Sequence, residues 1–253
     1  MPHAPLERCN TFTLQVLSLQ GILFFRMPAK NVIRVDVENG YYHVYNRGVE
    51  KRLIFQDEQD CKVFLNYLKE YLSPVPDATN LKKQTFTING GVYKGFPHAP
   101  KNFNGKVELV AYCLMPNHFH LLVHQIEKGT VSNLLRSLCT RYSMYFNKKY
   151  KRVGPLLQGP YRSIAVNEEN YLLHLSKYIH LNPYKYFDNL EDAFSSYGEY
   201  TGLRKTDWVK TNVILQYFDN AKSDFLKGVN TYKSFVLNNE EINKMDLGEL
   251  MLD

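Results

Sequence analysis

"VELVAYCLMPNHFHLLVHQI", residues 107–126, reads as two β-strands, 107–115 and 118–126, reversing at Pro116 and Asn117. In an extended chain alternate side chains share a face, so His118 and His120 project to one side while Phe119 enters the opposite layer. Two imidazoles on one rigid strand are half of a metal site. A half-exposed strand with solvated histidines is the plainer reading of an isolated H-x-H, so the choice rests on what surrounds the pair.

Upstream, "YYHVYNRG" (41–48) alternates apolar and polar positions and predicts a first strand. After Asp57, the residues Cys61, Phe64, Leu65, Tyr67, Leu68 and Leu72 recur at helical spacing, and the helix must stop before Pro74. Residues 73–106 are rich in Pro, Gly and Asn and read as an insertion with a hairpin around Asn89, Gly90 and Gly91. Downstream, Thr130 can cap a helix whose apolar stripe is Val131, Leu134, Leu135, Leu138, Tyr142, Tyr145 and Phe146. Residues 154–166 should hold a loop and a last strand. Asn167 then caps "EENYLLHLSKYIHLNP", which should end near Leu181 because Pro183 disfavours helical geometry at Asn182. The order β-α-β-β-α-β plus a further helix predicts an α+β fold. It is a ferredoxin-like split βαβ, an antiparallel sheet with helices on one face. Beyond about 190 the chain reads as mostly helical, with Trp208, Val213, Ile214, Tyr217 and Phe218 as apolar positions.

The 253 residues, 44% of them hydrophobic, suffice for one domain with appendages or for two small domains. The expected division is a segment over 1–26, a domain over 27–205 with the 73–106 insertion, and a helical extension over 206–253. Residues 1–26 contain a short apolar stretch, "TLQVLSLQGILFF", but lack a charged n-region and a small-x-small cleavage site, whereas Met27 opens a natural-looking start. They are therefore expected to be a disordered leader or a mis-assigned start. The net charge is +6, and its distribution matters more than its sum. No Asp or Glu occurs from Lys128 to Asn167, where Lys128, Arg136, Arg141, Lys148, Lys149, Lys151, Arg152 and Arg162 fall among tyrosines. Such a block suits a phosphate backbone, or else a solvated helix face. Cys9, Cys61, Cys113 and Cys139 show no C-x-x-C spacing, which fits a reducing cytoplasm, with nucleoid association following if DNA is the partner. No apolar run is long enough to span a bilayer, so no membrane partner is expected.

On the helix before Pro183, positions 171, 174, 178 and 182 fall within one arc, so Tyr171, His174, Tyr178 and Asn182 share a face. Leu172, Leu175 and Ile179 lie on the adjoining arc and would anchor it. Brought over the histidine strand, this face gives the parts roles. A metal held by His118, His120 and the oxygen of Asn182 could polarise a phosphodiester, and the Tyr178 phenol could attack it and conserve the bond energy in a covalent intermediate. Singly, each element has a plainer reading: Tyr178 as a core tyrosine, Asn182 as a helix end.

"YYHVYNRG", "AYCLMPNHFHLLV" and "YLLHLSKYIHLNP", in this order, resemble the single-tyrosine HUH transposases of the IS200 type, especially their repeat-associated branch. The resemblance covers about residues 35 to 200. It implies a divalent Mg2+ or Mn2+ ion on His118 and His120, with Asn182 as accessory ligand. It also implies attack by Tyr178 on single-stranded DNA, leaving a 5′-phosphotyrosine and a free 3′-OH. Ligand chemistry alone would favour Zn or Mn over Mg at two histidines. The partner implied is single-stranded DNA with a hairpin, contacted through Arg47, Arg136, Arg141, Lys148, Lys149, Lys151, Arg152 and Arg162; the protein itself would be a monomer or a homodimer. His174 receives no role and reads as a packed histidine. Where the family often has a basic "QGRY"-like stretch this chain has Gln158, Gly159, Pro160 and Tyr161, which removes one expected contact while Arg162 remains. Two rival readings stand beside this one: a domesticated protein that binds DNA hairpins without cutting, and a metal-dependent phosphodiesterase that uses water in place of Tyr178.

Overall fold

The computed structural model of the protein describes residues 36–75, 84–88, 90–95, 101–219 and 231–237. The leader expected over 1–26 lies outside these residues, as do Asn89 and all of the last sixteen positions.

Strand β1 (Gly40–Arg47), helix α1 (Glu58–Leu72), strands β4 (Val107–Met115) and β5 (His118–Gln125), helix α2 (Thr130–Lys149) and strand β6 (Arg162–Val166) follow one another as the split βαβ reading requires. The sheet order is β4-β5-β1-β6 and every pair is antiparallel, which is the ferredoxin-like arrangement. Between α1 and β4, strands β2 (Gln84–Ile88) and β3 (Gly91–Gly95) pair only with each other, as the expected hairpin.

Both crossover helices lie on one face. Phe64 and Leu68 of α1, and Leu134, Leu138 and Phe146 of α2, pack on Tyr42, Val44, Phe119 and Leu121 of the strands. Helix α3 (Glu169–Leu181) covers the opposite face. Its Leu172, Leu175 and Ile179 meet Cys113, Met115 and Leu122, each apolar side chain buried there contributing about 1.5–3 kcal/mol. The short helices α4 (Tyr197–Tyr200), α5 (Asn212–Asp219) and α6 (Tyr232–Leu237) join this second core through Tyr197, Ile214 and Phe235. Trp208, in the non-helical stretch before α5, stacks on Tyr112 at 5.8 Å.

Three local expectations are corrected. Thr130 does not cap α2: Gly129 holds that position in a left-handed conformation, and the Thr130 hydroxyl donates backwards to the Glu127 carbonyl at 2.5 Å. The Gly129 N–H goes instead to the Asp36 carboxylate at 3.0 Å. The cap position of α3 is Glu168 and not Asn167, without a side-chain capping bond. Asn182 is helical (φ −49°, ψ −42°) despite Pro183, because the chain tightens into a 3-10 turn over Asn182–Lys185, where proline at the first turn loses no required N–H.

Candidate active site

The register across the sheet builds one side of the site. Tyr45 pairs with His120 and Arg47 with His118 on β1 and β5; on β4, Cys113 pairs with His120 and Met115 with His118; on β6, Arg162 pairs with Tyr45. Directly paired residues share a face, so two short rows cross the sheet beneath α3: Cys113–His120–Tyr45–Arg162 and Met115–His118–Arg47. The turn flanking His118 is clamped by backbone bonds. Gly48 N–H donates to Asn117 O at 2.8 Å, and Ile54 and Phe55 N–H donate to Pro116 O at 2.8 and 3.0 Å. Gly48 must be glycine, since a Cβ there would lie 2.2 Å from the Arg52 carbonyl oxygen.

Three imidazoles meet in this face. His118 and His120 sit with ring centroids 5.0 Å apart and planes nearly perpendicular. His118 Nδ1 lies 2.6 Å from Asn117 Oδ1, and donation to that oxygen leaves the His118 lone pair on Nε2. His120 Nδ1 lies 2.9 Å from His43 Nε2. His43 and His120 are fully buried, and His120 Nε2 has no hydrogen-bond partner. Burial holds both rings neutral: it pushes His43 down to about 3, and it drives His120 well below the usual imidazole range, helped by the neighbouring His43 and His118. Neutral imidazoles with lone pairs on Nε2 are the form a cation requires. The donor set therefore fits a divalent ion held by His118 and His120. Among the described residues no group of three His, Cys, Asp or Glu is placed to hold a metal, so further ligands would have to be amide, water or substrate oxygens.

Helix α3 brings the tyrosine. Its buried face is Leu172, Leu175, Ser176, Ile179 and His180, while Tyr171, His174, Tyr178 and Asn182 are half-buried, as the helical arc predicts. The Tyr178 ring stands edge-on to His120 at 5.6 Å and to His43 at 6.3 Å. Asn182, one turn on, donates Nδ2–H to the Tyr178 carbonyl at 3.0 Å, which leaves Oδ1 as the end able to meet a cation. His174 packs against Phe235 at 5.9 Å. His180 is buried too, its nitrogens 2.6 Å from the Tyr232 hydroxyl and 2.7 Å from the Ser196 hydroxyl, and this network ties α6 and α4 to the tyrosine helix.

The basic residues divide between two faces. Arg47 and Arg162 belong to the histidine face, and Arg47 donates to the Gln158 side chain. Arg136, Arg141, Lys148 and Lys149 lie on α2, across the sheet. Of these, Arg136, Lys148 and Lys149 are exposed, as is Lys151 beyond the helix. Arg141 bonds Glu70 at 2.5 Å and lies over the Tyr67 ring at 3.7 Å. Lys149 bonds both Asp57 and Asp60 at 2.7 Å, and the ammonium holds the Asp57 carboxyl below the usual range. Arg152 bonds Asn147 at 3.2 Å. Beside the segment that precedes β6, a cleft of about 380 Å3 is lined by Asn46, Arg136, Thr140 and Tyr161.

Sequence reasoning missed His43 and Asn117. Alternation in "YYHVYNRG" does put His43 on one face with Tyr45 and Arg47, but its meeting with His120 follows only from the strand register.

Residues 98–182 match the family described as Transposase IS200 like. No curated protein matches the chain. Among solved structures, a REP-associated tyrosine transposase bound to a REP hairpin aligns at 15% identity and a TM-score of 0.46, covering 72% of this chain and 92% of that one. A candidate transposase from Deinococcus radiodurans R1 aligns at 15% identity and a TM-score of 0.33, covering 60% and 95%. The segment that carries His118, His120, Tyr178 and Asn182 is thus the segment that matches the IS200-like transposase family.

Proposed function

We propose that the protein is a metal-dependent DNA strand transferase that cuts and rejoins single-stranded, hairpin-associated DNA through a tyrosine-bound intermediate. The observation that carries the reading is the Tyr178 ring standing over His120, whose Nε2 is buried without a partner. The family match over the same residues supports it.

His118 and His120, with Asn182 Oδ1, would hold the ion. A bound Mg2+ or Mn2+ supplies Lewis-acid polarisation of the phosphoryl oxygen and offsets charge there. Tyr178 Oη attacks phosphorus: the P–Oη bond forms, the P–O3′ bond breaks, the departing 3′ oxygen takes up a proton, and the phenol proton passes to solvent. The DNA 5′ end is then esterified to the enzyme, and attack by a 3′-OH reverses the step. Arg47 and Arg162, flanking the histidine rows, neutralise backbone phosphates, while exposed Arg136, Lys148 and Lys151 carry DNA further from the reacting bond.

Labelled hairpin DNA from the gene's own flanks, incubated with Mn2+ and protein, tests this on a denaturing gel. Wild type should give a covalent adduct that is lost in Tyr178→Phe, in His118→Ala/His120→Ala and with chelator. Cleavage surviving in Tyr178→Phe would make the protein a phosphodiesterase that uses water; tight binding with no cleavage would make it a hairpin-binding protein.

A further inference from the structure

The proposed reaction leaves one member of the histidine cluster unused. His43 is 0% exposed and 77 residues distant in sequence from His120, yet the two rings lie nearly parallel (16°) with His43 Nε2 2.9 Å from His120 Nδ1. Two neutral imidazoles facing nitrogen to nitrogen share one hydrogen, so one donates and the other accepts. The nitrogens left over, His120 Nε2 and His43 Nδ1, are both buried without a partner. Because the two nitrogens of an imidazole diverge at a wide angle, these leftover atoms point away from each other. His43 therefore cannot converge with His120 on one ion.

Which ring donates decides what His120 can do. If His43 Nε2–H donates, His120 carries its own hydrogen on Nε2 and offers no lone pair there. If His120 Nδ1–H donates, its Nε2 keeps a lone pair that no hydrogen bond occupies. We propose that His43 is a positioning residue that accepts the Nδ1–H of His120, fixing both the tautomer and the ring orientation in which His120 binds the cation. This rests on the metal-dependent reading above. It matches the general role of a hydrogen-bond acceptor behind a metal-binding histidine. His118 receives the equivalent support from Asn117 Oδ1 at 2.6 Å, so each imidazole of the pair has its own acceptor.

Two measurements test it on the full-length protein. In 15N-labelled wild type, two-bond 1H–15N correlations of the histidine rings, recorded with saturating Mg2+, should show the hydrogen on Nδ1 of His120 and on Nδ1 of His43. A hydrogen on Nε2 of either ring in that state overturns the proposal, and no variant needs to fold for this result. In calorimetric titration with MnCl2, His43→Phe should weaken binding about 10- to 100-fold. His43→Gln, whose side-chain oxygen can accept the same hydrogen, should recover most of the loss, with thermal unfolding of each variant followed in parallel. Wild-type affinity in a folded His43→Phe protein overturns the inference alone. Equal Mn2+ affinity in wild type and His118→Ala overturns the metal reading, and this inference with it.

Discussion

His120 ends in a nitrogen that is buried and bonded to nothing, and a packed core seldom leaves a polar atom in that state. The cost of such an atom is about 1–3 kcal/mol, and it makes the His43–His120 pair a unit. His43→Phe alone strands His120 Nδ1 as well and should destabilise the protein by about 1–3 kcal/mol in urea unfolding. His43→Phe/His120→Phe removes every nitrogen of the pair and should be more stable than either single variant. Strictly additive losses would show that the two rings do not act together. At this scale the sequence was informative where chemistry follows local periodicity. A spacing of two placed His118 and His120 on one face, and a spacing of four placed Tyr178 and Asn182 on another. His43 was not legible, because its partner sits on a neighbouring strand two residues off direct register, opposite Tyr45. From sequence Asn117 reads only as a turn residue, since nothing in "MPNHF" states that its amide oxygen faces a ring.

Between elements, the α1–α2 junction gives one lysine a different task from its neighbours. Asp60 is fully buried and receives Lys149 at 2.7 Å, Tyr145 at 3.0 Å, Tyr150 at 2.8 Å and the Gln56 N–H at 2.8 Å. Lys149→Met should therefore cost about 1–3 kcal/mol of stability. It should also leave the salt dependence of DNA binding unchanged, whereas Arg162→Ala should lower the slope of log K against log salt by about 1. A slope lowered equally by both variants would return Lys149 to the DNA surface. At the end of β1, Gly48→Ala forces a methyl onto the Arg52 carbonyl beside the clamped histidine turn, and should cost about 1–3 kcal/mol in thermal unfolding. The order and type of the elements were legible because apolar periods of 2 and 3.6 are long and clean here. The helix starts were not, because Thr130 and Asn167 have the right side chains for capping but the chain uses Asp36 and tertiary packing instead. The basic block from Lys128 to Arg162 read as one surface. The fold splits it, since the acids that take up Arg141 and Lys149 come from α1, some 70 to 90 positions away in the chain.

For the whole molecule, a single sheet separates two cores, and the histidine–tyrosine face is the one covered by α3 and the C-terminal helices. Burial keeps His43 and His180 neutral, at about 3, and His120 well below the usual range, whereas in the unfolded chain each takes up a proton below about 6.5. The folded state binds fewer protons, so this stability is complete above about pH 7 and is lost as pH falls, by about 2 kcal/mol at pH 5 for each of His43 and His180. Urea unfolding in chelator at pH 7.5 and pH 5.0 should show the loss, and equal midpoints would contradict it. Among the described residues no helix is long and apolar enough to cross a membrane. In the proposed reaction a tyrosine on one core and histidines on the sheet beneath it act together on DNA. Mass-spectrometric mapping of the protein after reaction with single-stranded hairpin DNA and Mn2+, followed by nuclease and protease digestion, decides whether they do. A nucleotide 5′-phosphate should be esterified to Tyr178 and to no other tyrosine; cleaved DNA with Tyr178 unmodified would show that the tyrosine is not the nucleophile.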